Sequence, residues 1–284
     1  MSFTPISDPK GASKTTQSFI KEHRREFWHL VKDIAPFIIL FHLITNFVFS
    51  QIIEYTIHNY ANIALTVAYF ITMVTVFLNL YIYSFFIINW HRLIIARYNQ
   101  TTYQQVSLLK PQKDDLAFIK AIIGLAIAYA LLAHMHIILP IHIKILYPNL
   151  LSALTVIAVI YLSIAYYKCS FFCLAKLTNK AMTLPESYDL ASGYFGKIIL
   201  SYLNAIAKIG ILFILYLFIG YILMEQSLEI VKSYNPDIGT ADFLSTSRYL
   251  TILIGIPSLL FFKPMFIVIG VTITTNYYLH AIRR

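Results

Sequence analysis

Five polar side chains lie inside or beside long apolar stretches of this sequence, where a polar group needs a specific role. They are His42, Asn46, Asn79, Lys263 and Asn276. His42 and Asn46 are four residues apart, so a helix would place them on one face. Polar groups in apolar helices either hydrogen-bond across to a neighbouring helix or line the path of a polar solute. The sequence leaves both interpretations open, with helix association as the simpler one.

Lys263 stands in the sequence Phe-Phe-Lys-Pro-Met-Phe, near the outer end of an apolar block that begins near Pro257. At 1.5 Å per residue, this start would put the lysine roughly 9 Å inside the outer membrane boundary. Its amine could reach the outer surface from there, as long basic side chains do near helix ends. The alternative is a buried lysine with a polar partner.

Three histidines near the outer end of the third apolar block, His134, His136 and His142, carry the commonest metal-binding group in proteins. His134 and His136 would point to nearly opposite sides of a helix, and no cysteine or carboxylate cluster accompanies them. We therefore predict no metal site, with these three histidines as a weak alternative. Cys169 and Cys173 are one helical turn apart, a spacing that rarely fits a disulfide. We interpret them as small apolar residues.

Motifs that would indicate an enzyme are missing from the sequence. It has no phosphate-binding glycine-rich loop, no His-Glu-x-x-His helix and no Gly-x-Ser-x-Gly turn. No apolar block carries Asp or Glu near its middle, which argues against a relay of protons between carboxylates. We expect no enzymatic activity, no catalytic residues and no cofactor.

Composition explains why these residues have to be considered in a membrane. The chain of 284 residues is 58% hydrophobic and 12% charged, with a mean hydropathy of +0.69. A soluble domain carries about a quarter charged residues. The net charge of +9 resides almost entirely in the links between apolar blocks. Anionic lipid is therefore a better partner for this charge than nucleic acid.

Apolar blocks long enough to cross a bilayer recur along the chain. A span needs roughly 20 apolar residues, and inside lipid the backbone must satisfy its own hydrogen bonds, so each block is predicted to be a helix. We predict an all-α fold, a polytopic membrane helical bundle with six transmembrane helices. The spans are expected at about Ile34 to Ile53, Ile63 to Asn89, Ala121 to Leu139, Leu151 to Phe172, Ala207 to Met224 and Pro257 to Tyr278.

The distribution of Lys and Arg predicts the orientation. With six spans, 18 of the 22 basic residues fall on the side of the two termini. The other side carries Lys144, Lys232 and Arg248, with Lys263 close by. Because basic residues favour the cytoplasmic side, we predict a multi-pass protein of the bacterial inner membrane with both termini in the cytoplasm. Trp28, Trp90, Arg92 and Arg97 are predicted as anchors at this interface.

Two amphipathic helices are expected on the cytoplasmic side in addition to the spans. Residues 1–33 are predicted to form a basic arm with an interfacial helix over residues 14–32, and residues 34–284 the transmembrane domain. A second helix is predicted from Leu184 to Ile206. Its start is marked by Thr183 and Glu186, which can form a capping box, and by Pro185.

Several of these features resemble a known family when taken together. They are a span that ends in Trp90-His91-Arg92, an amphipathic helix after the fourth span, and a last span that ends in Tyr277-Tyr278-Leu279. Over about residues 30–284 the chain resembles uncharacterised six-span bacterial inner-membrane proteins related to the membrane domain of some glycerophosphodiester phosphodiesterases. The resemblance implies a fold and a location. It implies no catalytic residues, and the phosphodiesterase domain itself is not present.

The function expected from the sequence is therefore interaction within a membrane. We expect an accessory, assembly or lipid-environment role, with the lipid bilayer, anionic lipid at the cytoplasmic face and a membrane-protein partner as contacts, and no nucleic acid. A small-solute transporter with a polar path between its helices is the alternative. It requires His42, Asn46, Asn79 and Lys263 to converge on one cavity.

Overall fold

The computed structural model describes residues 3–107, 111–133, 157, 164, 168–178, 180–234 and 255–283. These residues are mainly helical, as an all-α fold requires, and this part of the prediction is confirmed. The described helices with assigned bounds are α1 (Pro9–Glu22), α2 (Arg24–Leu43), α3 (Ser50–Asn59), α4 (Ala61–Asn99), α5 (Lys113–Ala133), α6 (Leu184–Ser192), α7 (Phe195–Tyr234) and α8 (Lys263–Ile282). Two π-helical segments, Ile44–Phe49 and Ser258–Phe262, join α2 to α3 and lead into α8.

Among the described residues, four helices are long and apolar enough to cross a membrane, which is typical of a multi-pass membrane protein. They are Arg24–Phe49, Met73–Asn99, Phe195–Leu223 and Gly255–Ile282, and they coincide with the first, second, fifth and sixth predicted spans. The third predicted span begins in α5 but continues beyond the described residues. The fourth is described only at residues 157, 164 and 168–172. The count of six spans stays a prediction.

The start of α6 follows the predicted capping box. Thr183 accepts a hydrogen bond from the Glu186 backbone N–H, and the Glu186 carboxylate accepts one from the Thr183 N–H at 2.7 Å. These bonds hold the pKa of the Glu186 carboxyl below its usual value, chiefly through the backbone N–H of Thr183. The helix ends earlier than predicted, at Ser192, and after a turn α7 runs without interruption from Phe195 into the fifth span.

The N-terminal region also divides differently from the prediction. Residues 14–32 belong to two helices, α1 and α2, because the helix is interrupted by a turn at His23. The His23 side chain Nδ1 lies 3.1 Å from the Phe19 carbonyl oxygen. From Arg24 onward the charged residues and the first span form one helix.

The chain forms two compact units. The Trp90 unit comprises Met1–Thr16, Tyr83–Ser201 and Val271–Arg284. The Trp28 unit comprises Gln17–Ile82 and Tyr202–Gly270. Both units take segments from each side of residue 33, where the sequence predicted a boundary between an arm and a membrane domain.

The second half of α8 is the centre of the Trp90 unit. Residues 271–279 are all buried, and Tyr277 and Tyr278 are fully so. The Tyr277 hydroxyl lies 2.9 Å from Ser201 Oγ, and the Tyr278 hydroxyl lies 2.6 Å from Thr178 Oγ1. A helix that is buried on every face is typical of a protein core or a membrane span. Here the helix is buried in part by protein, since the segments that carry Thr178 and Ser201 pack against it.

The Trp28 unit is different, because much of α7 exposes large apolar side chains. Six of these, each at least half exposed, are Ile211, Leu212, Ile214, Leu215, Phe218 and Ile219. Phe213 and Tyr216 point elsewhere, with ring centroids 5.0 and 5.2 Å from that of Phe262. An exposed apolar surface of this extent indicates contact with lipid or with another protein.

Candidate functional site

Trp90, predicted to be an interface anchor, is fully buried. Its indole Nε1 donates a hydrogen bond to Thr272 Oγ1 of α8 at 2.8 Å. Buried Trp side chains usually find such a partner because an unpaired indole N–H is costly in an apolar surrounding. The ring is therefore enclosed by protein and does not have the exposed surface that a head-group anchor needs.

His91 contacts the same helix one turn further along. Its Nδ1 lies 2.6 Å from Thr275 Oγ1, while the Thr275 hydroxyl donates to the Val271 carbonyl at 2.7 Å. A hydroxyl has a single proton to donate, so Thr275 accepts from His91 and the proton of the neutral imidazole is on Nδ1. The ring also packs edge-on against Phe118, with centroids 5.8 Å apart.

Arg92, another predicted anchor, forms an ion pair within the Trp90 unit. Its Nη2 lies 2.6 Å from Asp115 Oδ1, and the Asp115 side chain is 0% exposed. The second oxygen of Asp115 accepts the Gln112 backbone N–H at 2.9 Å. A buried carboxylate needs this compensation, since an unpaired one would be strongly destabilising. Arg92 thus fixes the beginning of α5.

Asn89 completes the series by holding the segment that follows α4. Its Oδ1 accepts the Val106 N–H at 2.7 Å, and its Nδ2 donates to the Val106 carbonyl at 3.0 Å. The Tyr103 hydroxyl donates to the same Oδ1 at 3.2 Å. Asn89 therefore pairs with both the N–H and the carbonyl of Val106, as the backbone of a neighbouring β-strand would.

The four consecutive residues Asn89, Trp90, His91 and Arg92 bind three parts of the Trp90 unit, because Trp90 and His91 share α8. We call them the 89–92 cluster. The sequence singled out Trp90 and Arg92 but gave them the wrong neighbours, because their partners are 182 and 23 positions away along the chain. A signal was present in the last span, whose residues Thr272 and Thr275 lie three apart on one face and are polar within an apolar helix.

Asn276 belongs to the Trp90 unit and binds the N-terminal segment. Its Oδ1 accepts the Ile6 N–H at 2.9 Å and its Nδ2 donates to the Ile6 carbonyl at 2.7 Å. Phe3 is also buried, and its N–H donates to the Arg97 carbonyl at 3.4 Å. The predicted intramembrane role of Asn276 is therefore replaced in this structure by a clamp on residues 3–6.

His42 and Asn46 of the Trp28 unit do lie together, as the spacing predicts. Asn46 Nδ2 is 3.3 Å from His42 Nδ1 and donates to the His42 carbonyl at 2.8 Å. Asn46 lies within the π-helical segment Ile44–Phe49. The His42 ring packs so closely on Gly255 that a Cβ there would be 2.8 Å from His42 Nε2. Glycine at this position makes the approach of the two helices feasible.

The remaining predicted polar residues of this unit, Asn79 and Lys263, lie in different helices. Asn79 Nδ2 donates to the Thr75 carbonyl of its own helix at 3.0 Å. Lys263 is partly buried at the start of α8. Of the predicted polar residues, His42 and Asn46 therefore contact each other. The side chains of Asn79 and Asn276 bond instead to the backbone of Thr75 and of Ile6.

Trp28 has the exposure that an interface anchor requires. It is 43% exposed, and its ring stacks on Phe261 with centroids 5.9 Å apart. Arg97, the fourth predicted anchor, is partly buried.

The histidines that formed the weak metal alternative, His134, His136 and His142, lie outside the described residues. Within the described ranges, no group of three His, Cys, Asp or Glu side chains could hold a metal ion. The thiols of Cys169 and Cys173 are both free, with Cys173 buried.

Comparisons with protein-family models, with curated proteins and with solved structures find no match to this chain. The resemblance to the six-span family described above thus stays a prediction.

Proposed function

We propose that this multi-pass protein acts by interaction, with the lipid bilayer and with a membrane-protein partner, and neither catalyses a reaction nor transports a solute. One observation carries the proposal. The side-chain amides of Asn46, Asn79 and Asn276 each donate to a backbone carbonyl, of His42, Thr75 and Ile6, at 2.8, 3.0 and 2.7 Å. Amides used in this way have their hydrogen-bonding groups satisfied within the protein, and that of Asn276 holds the N-terminal segment in place, which supports a structural role for them.

The proposed location is a bacterial inner membrane, with both termini in the cytoplasm. The concentration of 18 of 22 Lys and Arg residues on the side of the termini supports it. The six-span resemblance, which implies the same location, agrees with this orientation.

Contacts between α7 and the last span, inside the Trp28 unit, also support a proposal for how deep each residue of the last span lies in the membrane. Phe262 and Phe266 pack on Phe213 of α7, with centroids 5.0 and 5.6 Å from its ring. Further along, a Cβ on Gly270 would be 3.5 Å from the Tyr202 ring. The two helices are therefore antiparallel.

Lys208 lies between Tyr202 and Phe213 on α7 and is exposed. It precedes the apolar part of that helix, so it marks the basic-side membrane boundary. The matching point on the last helix is near Phe266, midway between Phe262 and Gly270. Lys263 then lies about 5 Å along the helix axis from the point that faces Lys208, close to the proposed basic-side boundary. This differs from the sequence expectation, which placed Lys263 near the outer side.

A second candidate function, transport of a small polar solute, is favoured by a separate observation. His42 and Asn46 lie together, at a π-helical turn and against the backbone of Gly255. Such turns within α-helices occur frequently at functional sites.

Uptake measurements separate the two candidates. Purified protein in proteoliposomes is offered radiolabelled amino acids, sugars and inorganic ions, with empty liposomes as the blank. We expect no uptake above the blank, and a reproducible membrane-protein partner after crosslinking in native membranes. Uptake that disappears in Asn46→Ala but persists in Asn79→Ala would establish transport. The two variants share the loss of an amide bond to the carbonyl four residues earlier, and only Asn46→Ala also removes a contact with the His42 ring.

A further inference from the structure

A basic cavity lies on the first half of α2. It has a volume of about 510 Å³ and is lined by Arg24, Arg25, Trp28, His29 and Lys32. We call these five residues the Trp28 surface. Residues 25, 28, 29 and 32 recur at spacings of three and four, so they share one face of the helix. The described residues that line the cavity therefore all lie on consecutive turns of one helix.

Three of the five side chains of this surface are those of arginine or lysine. Arg24, Arg25 and Lys32 are exposed. The Nδ1 of His29 lies 3.3 Å from Asp33 Oδ2. Two guanidinium groups and one ammonium group thus face an open space. Arginine is well suited to bind phosphate, because its planar fork can donate two parallel hydrogen bonds to it.

The aromatic part of the surface indicates where in the membrane the cavity lies. Trp28 is 43% exposed and its ring stacks on Phe261. Phe261 is two residues before Lys263, which the packing of α7 puts near the basic-side boundary. An exposed Trp at such a depth is typical of the head-group region, where one end of the ring is apolar and the other is wet.

We infer that the Trp28 surface binds the phosphate head group of an anionic phospholipid. Arg24, Arg25 and Lys32 supply the charge, and Trp28 with Phe261 contacts the beginning of the acyl chains. The inference rests on the proposed function, because it identifies one of the contacts through which the protein acts. The apolar neighbours favour a lipid over free phosphate, which would gain nothing from them.

Tryptophan quenching tests this directly, since Trp28 is one of only two tryptophans in the chain. The protein, in mixed micelles of a non-ionic detergent, is titrated with phosphatidylglycerol or phosphatidylcholine whose acyl chains carry bromine. Bromine quenches only a nearby indole. The Trp90→Phe variant isolates the Trp28 signal, and Trp28→Phe gives the Trp90 signal for subtraction if the first variant does not fold.

We expect phosphatidylglycerol to quench Trp28 at much lower concentration than phosphatidylcholine does. Each basic residue near an anionic surface changes binding about fivefold, so Arg24→Gln/Arg25→Gln/Lys32→Gln should reduce this preference by roughly 100-fold. Lys10→Gln/Lys14→Gln/Lys21→Gln removes the same charge from exposed positions of α1 and should leave the preference intact.

Two results would overturn the inference. One is an equal loss of preference in both triple variants, which would mean that net charge alone attracts the lipid. The other is displacement of the brominated lipid by inorganic phosphate as effectively as by unlabelled phosphatidylglycerol, which would make the site a phosphate site. Neither result changes the uptake measurement, so failure of this inference is distinguishable from failure of the proposed function.

Discussion

The indole of Trp90 donates a 2.8 Å hydrogen bond to the hydroxyl of Thr272, and both side chains are fully buried. Trp90 lies near the end of α4 and Thr272 in the middle of α8. The bond therefore joins two helices that hydropathy alone would describe as separate membrane spans. The 89–92 cluster adds bonds to α5 and to the segment at Val106, so four adjacent residues organise one unit.

Removing the Thr272 hydroxyl should destabilise the protein measurably. Thr272→Val keeps the volume but leaves the Trp90 indole N–H buried without its acceptor, at a cost of about 1–3 kcal/mol in the free energy of unfolding. Trp90→Ala should cost more, about 3–5 kcal/mol, because it also leaves a cavity. Denaturant titration in detergent, followed by near-UV circular dichroism, measures both.

The matched control is Trp28→Ala, because Trp28 is 43% exposed. If the two tryptophans were both head-group anchors, as the sequence suggested, their alanine variants would lose similar stability. We expect the loss at Trp90 to be clearly larger.

The ion pair between Arg92 and Asp115 should behave as a buried pair. Arg92→Gln leaves the fully buried Asp115 carboxylate without its cation and should cost about 3–5 kcal/mol in the free energy of unfolding. Lys120→Gln, an exposed change on the same helix as Asp115, should cost less than about 0.5 kcal/mol. A double-mutant cycle with Asp115→Asn measures the coupling, and a coupling near zero would contradict a structural role for this pair.

The clamp of Asn276 on Ile6 predicts protection of the N-terminal segment. Asn276→Ala removes both hydrogen bonds to Ile6, so trypsin should cleave after Lys10 about tenfold faster than in the unchanged protein. Asn79→Ala also removes one amide bond to a backbone carbonyl, and should leave this cleavage rate as it was. Mass spectrometry of the released peptide gives the rates, and equal rates in all three proteins would exclude the clamp.

The capping box of α6 predicts a dependence on pH. Folding lowers the pKa of Glu186, so its contribution to stability is complete above the ordinary Glu pKa of about 4.3 and disappears as the pH falls through the lower folded value. Thermal unfolding of the unchanged protein and of Glu186→Gln should therefore converge in acid. A difference between them that is the same at neutral and acidic pH would contradict this assignment.

Hydropathy and local signals predicted a substantial part of the fold. The apolar blocks at spans one, two, five and six are helices, and Thr183 with Glu186 forms the expected cap, because both features depend on residues close together in sequence. The spacing of His42 and Asn46 likewise predicted their contact within one helix.

The roles of Trp90, Arg92 and Asn276 could not be predicted in the same way. An aromatic residue beside a basic one at the end of an apolar block has the pattern of an interface anchor. Buried residues that join distant segments of the chain can have the same pattern. Their partners Thr272, Asp115 and Ile6 come from distant segments, and only tertiary packing brings them together.

The proposed position of the last span along the membrane normal is the central claim, because it would put Lys263 near the basic side. Nitroxide labels at Ile256→Cys and Lys263→Cys, in a chain with Cys169 and Cys173 replaced by Ser, report depth through collisions with oxygen and with a polar nickel complex. We predict that the ratio of oxygen collisions to nickel collisions is higher for the label at 256, the deeper position, than for the label at 263. The reverse order, with the label at 256 in the polar region and that at 263 in the hydrocarbon, would contradict the account.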